Sequence, residues 1–123
     1  MKRAKDEEFK IQAAFINYVR LAHPNVLLTI SPAGFIMSAG MAMKMSRMGY
    51  TKGTPDVMFF EPRGCFHGLF IEFKTPKGKT QPSQVEFITK LQARGYWCNI
   101  CRSSEEGITA LEEYLALSHN SLD

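Results

Sequence analysis

Asp56, Glu72 and Lys74, near the middle of this 123-residue sequence, have the types and spacing for metal-assisted chemistry. Glu72 and Lys74 stand two apart in Leu69-Phe-Ile-Glu72-Phe-Lys74, a run that reads as a strand. Both therefore project from one face, while Ile71 and Phe73 project from the other, toward a core. Upstream, Thr54 to Phe60 reads as another strand, and Glu61-Pro-Arg-Gly-Cys-Phe-His67 between the two holds the Pro and Gly of a turn. A turn centred on Gly64 predicts an antiparallel register in which Phe60 faces Gly68, Met58 faces Phe70 and Asp56 faces Glu72; a single bulge would shift it by one. Two carboxylates at adjacent strand positions repel unless something positive lies between them. A hard divalent cation with oxygen ligands resolves that conflict. Such an ion polarises a phosphodiester, lowers the pKa of a bound water and neutralises the leaving oxygen. Lys74 is placed to orient or deprotonate that water, or to stabilise charge on the phosphorus centre.

An isolated Glu-x-Lys would read as charge alternation on an exposed edge strand. Here it is preceded by Gly53-Thr-Pro-Asp56 and followed by the basic loop Thr75-Pro-Lys-Gly-Lys-Thr80. That combination makes surface decoration a poor account.

The elements that must position these residues follow from periodicity. Asp6 to Ala22 is helical and is ended by Pro24. Phe9, Ile11, Phe15, Ile16 and Val19 form one apolar arc, with Asp6, Lys10, Asn17 and Arg20 opposite. Glu8 and Gln12 break the rule by lying inside the arc, one helical turn apart. Val26 to Ser31 reads as a strand stopped by Pro32 and Gly34. Phe35 to Met48 holds Met37, Met41, Met45 and Met48 in a helical stripe, read first as a flexible core face and second as a subunit interface. A helix is expected over Pro82 to Arg94, carrying Val85, Ile88, Leu91 and Gln92, with Gly95 as its stop. Tyr96 to Cys101 is a fourth strand, with Tyr96 and Trp97 as core. A last helix capped by Ser103 or Ser104 runs to about Leu117, with Ile108, Leu111 and Leu115 inward. The expected tail from Ser118 to Asp123 is frayed. The order is α-β-(α)-β-β-α-β-α: an α/β or α+β sandwich, a mixed central sheet of about four strands flanked by helices, forming one domain over residues 1–123.

Composition narrows the field. An apolar fraction of 45% and an aromatic fraction of 11% suit a folded globular chain. No run is long and apolar enough for a membrane span, and the charged N-terminus leads into no signal-peptide core, so a cytoplasmic location is expected. A net charge of +3 tolerates a polyanionic partner. Lys44, Arg47, Lys52, Arg63, Lys74, Lys77 and Lys79 crowd the middle of the chain. The cysteines are Cys65, Cys98 and Cys101. Cys98 and Cys101 have CxxC spacing, but three residues apart in a strand they face opposite sides, and no second pair exists, so zinc and redox readings are set aside. Gly78-Lys79-Thr80 ends like a P-loop, but Phe73 occupies the position of the required earlier glycine. His67 has no partner spaced like a metal pair.

Gly53-Thr-Pro-Asp56, Leu69-Phe-Ile-Glu72-Phe-Lys74-Thr-Pro-Lys-Gly-Lys79 and Gln84 together closely resemble the VRR-NUC domain of the PD-(D/E)xK nuclease superfamily, across nearly the whole chain. The resemblance implies a restriction-endonuclease-like core and a Mg²⁺ or Mn²⁺ site formed by Asp56, Glu72 and the backbone carbonyl of Phe73. It further implies that Lys74 assists the nucleophilic water, that Gln84 is the helix-borne glutamine beside the site, and that a glutamate from the first helix joins the catalytic and metal-ligating set. Glu7 and Glu8 compete for that last role, and the inward position of Glu8 beside Gln12 favours it. The DNA contacts expected are Lys77, Lys79, Lys52, Arg47 and Arg63. Free-standing members of this kind, often from phage, look like homodimeric Holliday-junction resolvases. The expected activity is therefore a structure-selective DNA endonuclease acting on branched DNA, four-way junctions first. The alternatives are a monomeric nickase or flap nuclease, a helicase-associated nuclease, a DNA-binding module without catalysis, or a purely structural dimerisation domain.

Overall fold

A computed structural model describes residues 2–119 of the chain. Helix α1 (Lys2–Ala22) leads to strand β1 (Leu28–Ile30), a 3-10 turn (Pro32–Phe35) and helix α2 (Ala39–Arg47). Strands β2 (Val57–Phe59) and β3 (Leu69–Phe73), helix α3 (Pro82–Ala93), strand β4 (Trp97–Cys101) and helix α4 (Ser104–Leu115) complete it. The order matches the expected one. The four strands form one mixed sheet in the order β1-β2-β3-β4, with β1, β2 and β3 antiparallel and β4 parallel to β3. No described helix is long and apolar enough to cross a membrane.

The β2–β3 hairpin adopts the predicted register: Val57 pairs with Ile71, Met58 with Phe70 and Phe59 with Leu69. Gly64 sits in the turn at a φ of 56°, which suits a residue without a Cβ. Alternation along β3 then separates two environments. Leu69, Ile71 and Phe73 join Phe15 and Val19 of α1 and Leu111 and Tyr114 of α4 in the buried core. Phe70 and Glu72 face the other side, the side on which α3 lies. β3 is thus a central strand covered on both faces, and all five of its residues are buried.

Tyr114 is fully buried, and its hydroxyl donates to the Glu61 carbonyl at 2.6 Å, so its polar end is satisfied. Trp97 stacks on Phe66 and packs against Tyr114, while Tyr96 lies against Phe70, so both aromatics are packing residues as expected. Cys101 belongs to the core under α1 and α4, and Cys98, also buried, faces away from it. Burial pushes both thiols up to about 11, which keeps them protonated.

α1 is longer than the strands beneath it. Its 21 residues span roughly 31 Å, against roughly 16 Å for the five of β3. Its first turns overhang the sheet, which is why Phe9 is exposed although it falls in the apolar arc.

The methionine stripe is a larger correction. The segment does not form one helix: Ser31 caps the 3-10 turn, accepting from the Ala33 N–H, and Ser38 caps α2 separately, accepting from the Met41 N–H at 3.1 Å. Met37 lies before the second cap and Met48 is its C-cap, so of the stripe only Met41 and Met45 lie within α2, where Met43 joins them. No residue of α2 is buried, and Met37, Met41, Met43 and Met48 are exposed. The core-face reading is overturned because no other described element covers α2.

The tail differs from expectation as well. The Ser118 carbonyl accepts from the Gly64 N–H at 2.7 Å and His119 bridges Arg63, so these two residues are tied to the hairpin turn. Residues 120–123 lie outside the described residues.

Candidate functional site

Pro55 shapes the open end of the hairpin. Continuing the β2–β3 register by two residues sets Pro55 opposite Phe73. Pro55 has no N–H to give the Phe73 carbonyl, and the ladder stops there. The Phe73 N–H instead donates to Asp56 Oδ2 at 2.8 Å. The Lys74 N–H bonds the Cys101 carbonyl of β4 at 2.9 Å, so the backbone of Phe73, one residue earlier, faces the β2 side. One proline therefore anchors the Asp56 carboxylate at the strand end and leaves a backbone carbonyl beside it without a ladder donor.

Gly53 fixes the approach of this segment to α3. It has a φ of 98°, and a Cβ there would lie 2.2 Å from the Ser83 carbonyl oxygen. Only glycine lets the loop lie so close to the first turn of α3. Because α3 connects the parallel strands β3 and β4, its N-terminus sits at the carboxyl end of β3, where ligands of parallel strands gather. Gln84 in that first turn is held at both ends of its amide. Its Oε1 accepts from the Gln81 N–H at 2.9 Å, and its Nε2 donates to Glu72 Oε2 at 2.7 Å. The helix cap thereby aims the amide at the carboxylate.

Lys74 Nζ lies 3.7 Å from Glu72 Oε2, and both side chains are buried. Glu72 Oε1 is buried and receives no hydrogen bond from any donor group; only in its protonated form can Glu72 bond the neighbouring Asp56 carboxylate. Burial is the largest force on Glu72; with the negative charge of Asp56 it pushes the carboxyl up to about 8, against the pull of Lys74. Burial likewise raises Asp56, opposed by the Phe73 N–H and by Lys74. Glu8 is raised by partial burial, with Lys74 pulling it down and Asp56 pushing it up. All three carboxyl groups therefore draw on the Lys74 ammonium, and Lys5 also acts on Glu8.

Glu8 reaches this field because it stands two helical turns before Phe15, on the same face of α1, and Phe15 packs against Phe73 at 5.1 Å. The overhang of α1 carries Glu8 past the sheet end. Glu7 is exposed. Among the described residues no three His, Cys, Asp or Glu side chains converge as a metal-binding group, so the tight unit is the Asp56–Glu72 pair and Glu8 stands outside it. The donor set at the pair is all oxygen: two carboxylates, one with an unpartnered buried oxygen, and a backbone carbonyl. That set fits a hard divalent cation such as Mg²⁺ or Mn²⁺.

The expected DNA contacts divide. Lys77 and Lys79 are exposed on the loop after β3, and Lys52 and Arg47 are exposed too. Arg63 is not presented to solvent: its side chain is 12% exposed, lies 3.6 Å from Glu61 and donates to the Pro62 carbonyl. It also sits at the closed end of the hairpin, opposite the carboxylates. Its packing and its place set it apart from the other four. Arg102 escaped sequence reasoning. Its Nη1 donates to the carbonyls of Thr75, Pro76 and Gly78 at 2.8, 3.4 and 2.6 Å, and so shapes the loop that carries Lys77 and Lys79. The parallel register pairing Phe73 with Cys101 brings it there, and a lone arginine after a strand carries no signal of that pairing.

Comparison with known proteins gives the same family twice. The family model described as VRR-NUC domain matches residues 7–105, a span that includes Glu8, Asp56, Glu72, Lys74 and Gln84. A solved structure described as "VRR_NUC domain protein" superposes with a TM-score of 0.75 at 26% identity, covering 90% of this chain and 89% of that one. No curated protein matches the chain significantly.

Proposed function

The chain belongs to the VRR-NUC domain family, with the nuclease-type, DNA-processing function which that implies, and from that premise we propose that it is a metal-dependent, structure-selective DNA endonuclease. The observation that carries the metal dependence is the buried Glu72 Oε1 without a partner, set beside Asp56 in the predicted register. Asp56, Glu72 and the Phe73 carbonyl would hold Mg²⁺ or Mn²⁺, which when bound supplies Lewis-acid polarisation of the phosphodiester and a more acidic water. Gln84 holds Glu72 in one orientation. Lys74 orients the attacking water and balances negative charge gathering on phosphorus. Glu8 adds an acceptor from α1 for water at the edge of the pair. Lys77 and Lys79, on the loop braced by Arg102, contact phosphates, with Lys52 and Arg47 adding to the positive field.

The preferred substrate in this reading is a four-way DNA junction, cut in the cytoplasm by a homodimer of single-domain chains. A twofold dimer sets two sites on opposed strands of a symmetric branch. The exposed Met41, Met43 and Met48 support the dimer, since adaptable apolar side chains left in solvent suit a subunit contact.

The test is cleavage of a panel of four-way junctions, flaps, nicked and linear duplexes with Mg²⁺ or Mn²⁺, together with the mass in solution. Paired symmetric cuts on junctions by a dimer are expected. Single nicks on any branched DNA by a monomer would replace the resolvase with a nickase or flap nuclease. Cleavage that persists in Glu72→Ala or Lys74→Ala would remove the catalytic assignment.

A further inference from the structure

A second feature lies alongside α3, and of its lining only Lys52 has a part in the reading above. A cavity of about 360 Å³ opens between this helix and the loop before Gly53. It is lined by Lys52, Ser83, Glu86, Phe87, Lys90 and Arg94 among others. From Ser83 to Arg94 the helix advances roughly 16 Å, so the groove follows α3 away from the carboxylates. It starts where Gly53 touches Ser83, beside Asp56 on one side and Gln84 on the other.

The chemistry of the lining is specific. Three cations face one acid, and that acid, Glu86, pairs with Lys90 at 3.2 Å. Arg94 spends one N–H on the Lys90 carbonyl of its own helix and is otherwise exposed. Phe87 is half-buried and stands apart from the buried core and the residues packed on it. An aromatic ring flanked by Lys and Arg in a groove is the arrangement that takes single-stranded nucleic acid, the bases stacking while the phosphates meet the cations. A paired duplex keeps its bases stacked inside and offers none to Phe87.

We propose that this groove is a subsite for unpaired DNA, in which Lys52, Lys90 and Arg94 hold phosphates leading from the scissile bond and Phe87 stacks against an exposed base. The assignment rests on the nuclease reading above but not on the four-way junction, whose arms are all paired; it favours the flap alternative, in which a single-stranded arm adjoins the cut.

The test is binding by the full chain, with divalent cations chelated, at physiological salt where distant charges are screened. A fluorescent DNA with a short unpaired arm is compared with a fully paired duplex. Phe87→Leu keeps apolar bulk but removes the stacking face, and the double variant Lys90→Gln/Arg94→Gln removes exposed charge. Each is expected to weaken binding of the arm by at least about five-fold, with duplex affinity held within about two-fold. Unchanged affinity for the arm, or an equal loss on duplex, would overturn the groove. If Phe87→Leu lowers the melting temperature, the double variant, whose side chains lie at the surface, decides alone. Wild-type protein that cut DNA while both variants bound the arm normally would remove the groove and leave the nuclease reading. Wild-type protein that bound neither DNA would remove both.

Discussion

Two glutamates in this molecule meet opposite fates. Glu112 on α4 receives the Tyr18 hydroxyl of α1 and lies 2.9 Å from His23 Nε2, and these hydrogen bonds hold its carboxyl below the ordinary range. Glu72 on β3 is buried beside a second carboxyl, has one oxygen without a partner, and is pushed up to about 8. The first is a clamp between two helices, complete as it stands. The second is an arrangement the protein alone does not satisfy. Folding stability accounts for Glu112, whereas Glu72 costs stability whenever it is ionised, a cost that the proposed cation would offset.

The largest expected effect comes from neutralising the unsatisfied glutamate. Glu72→Gln should reduce Mg²⁺-dependent cleavage to background and at the same time raise the melting temperature of the metal-free protein at pH 8. The sign follows from the raised pKa. Stability contributed by the protonated carboxyl is fully present below the unfolded value near 4.5 and is lost as pH rises through about 8. Metal-free wild type should therefore melt at lower temperature at pH 8 than at pH 5, and Glu72→Gln should lack most of that fall. Thermal melts at the two values, paired with a cleavage assay, check both halves.

Next in size is the residue that aims the carboxylate. Gln84→Ala removes the amide bridging the Gln81 N–H and Glu72 Oε2. A drop of about ten- to a hundred-fold in activity or metal affinity is expected. A titration of rate against Mn²⁺ concentration measures it, and a rate within two-fold of wild type, as an order-of-magnitude bound, would contradict the aiming role.

The smallest effect belongs to the satisfied glutamate. Glu112→Gln should lower stability by about 1 kcal/mol, since its side chain is 41% exposed and solvent screens part of the gain. Cleavage should be unaffected. Its pH signature runs the other way. A lowered pKa contributes stability above about 4.5 that is lost as pH falls through the folded value, so the wild type should lose this clamp only in acid. Denaturant melts at pH 7 and pH 3 read the difference. A loss of activity in Glu112→Gln as large as in Gln84→Ala would erase the contrast between the two regions.

How much of this was legible before the structure depends on the range of the interaction. The hairpin register needed only a glycine turn and alternation, so the pairing of Asp56 with Glu72 could be read residue by residue. Glu8 and Gln12 were visible as polar breaks in the apolar arc of α1, and the overhang explains why they are tolerated there. Gln84 came from family resemblance; that it doubles as a helix-cap acceptor depends on how the chain leaves β3. The methionine stripe misled because periodicity cannot show whether a second layer covers a helix, and because Ser38 breaks the segment. Arg63 is held by Glu61, the Pro62 carbonyl and a bridge to His119, long-range contacts that the composition of a turn does not encode. Arg102 depended on a parallel pairing between strands some thirty residues apart in sequence, as Phe73 and Cys101 show.

If a divalent cation completes the Asp56–Glu72 pair, Mn²⁺ should bind the metal-free chain and displace a proton from it. Calorimetric titration of the metal-free chain with Mn²⁺ at pH 7, in buffers of different ionisation enthalpy, tests it most directly. Because Glu72 is pushed up to about 8, it is largely protonated at that pH, and binding should release about one proton per ion. Saturable binding with that release, abolished in Glu72→Gln, is the predicted result. Absence of binding, or equal binding by Glu72→Gln, would contradict the account.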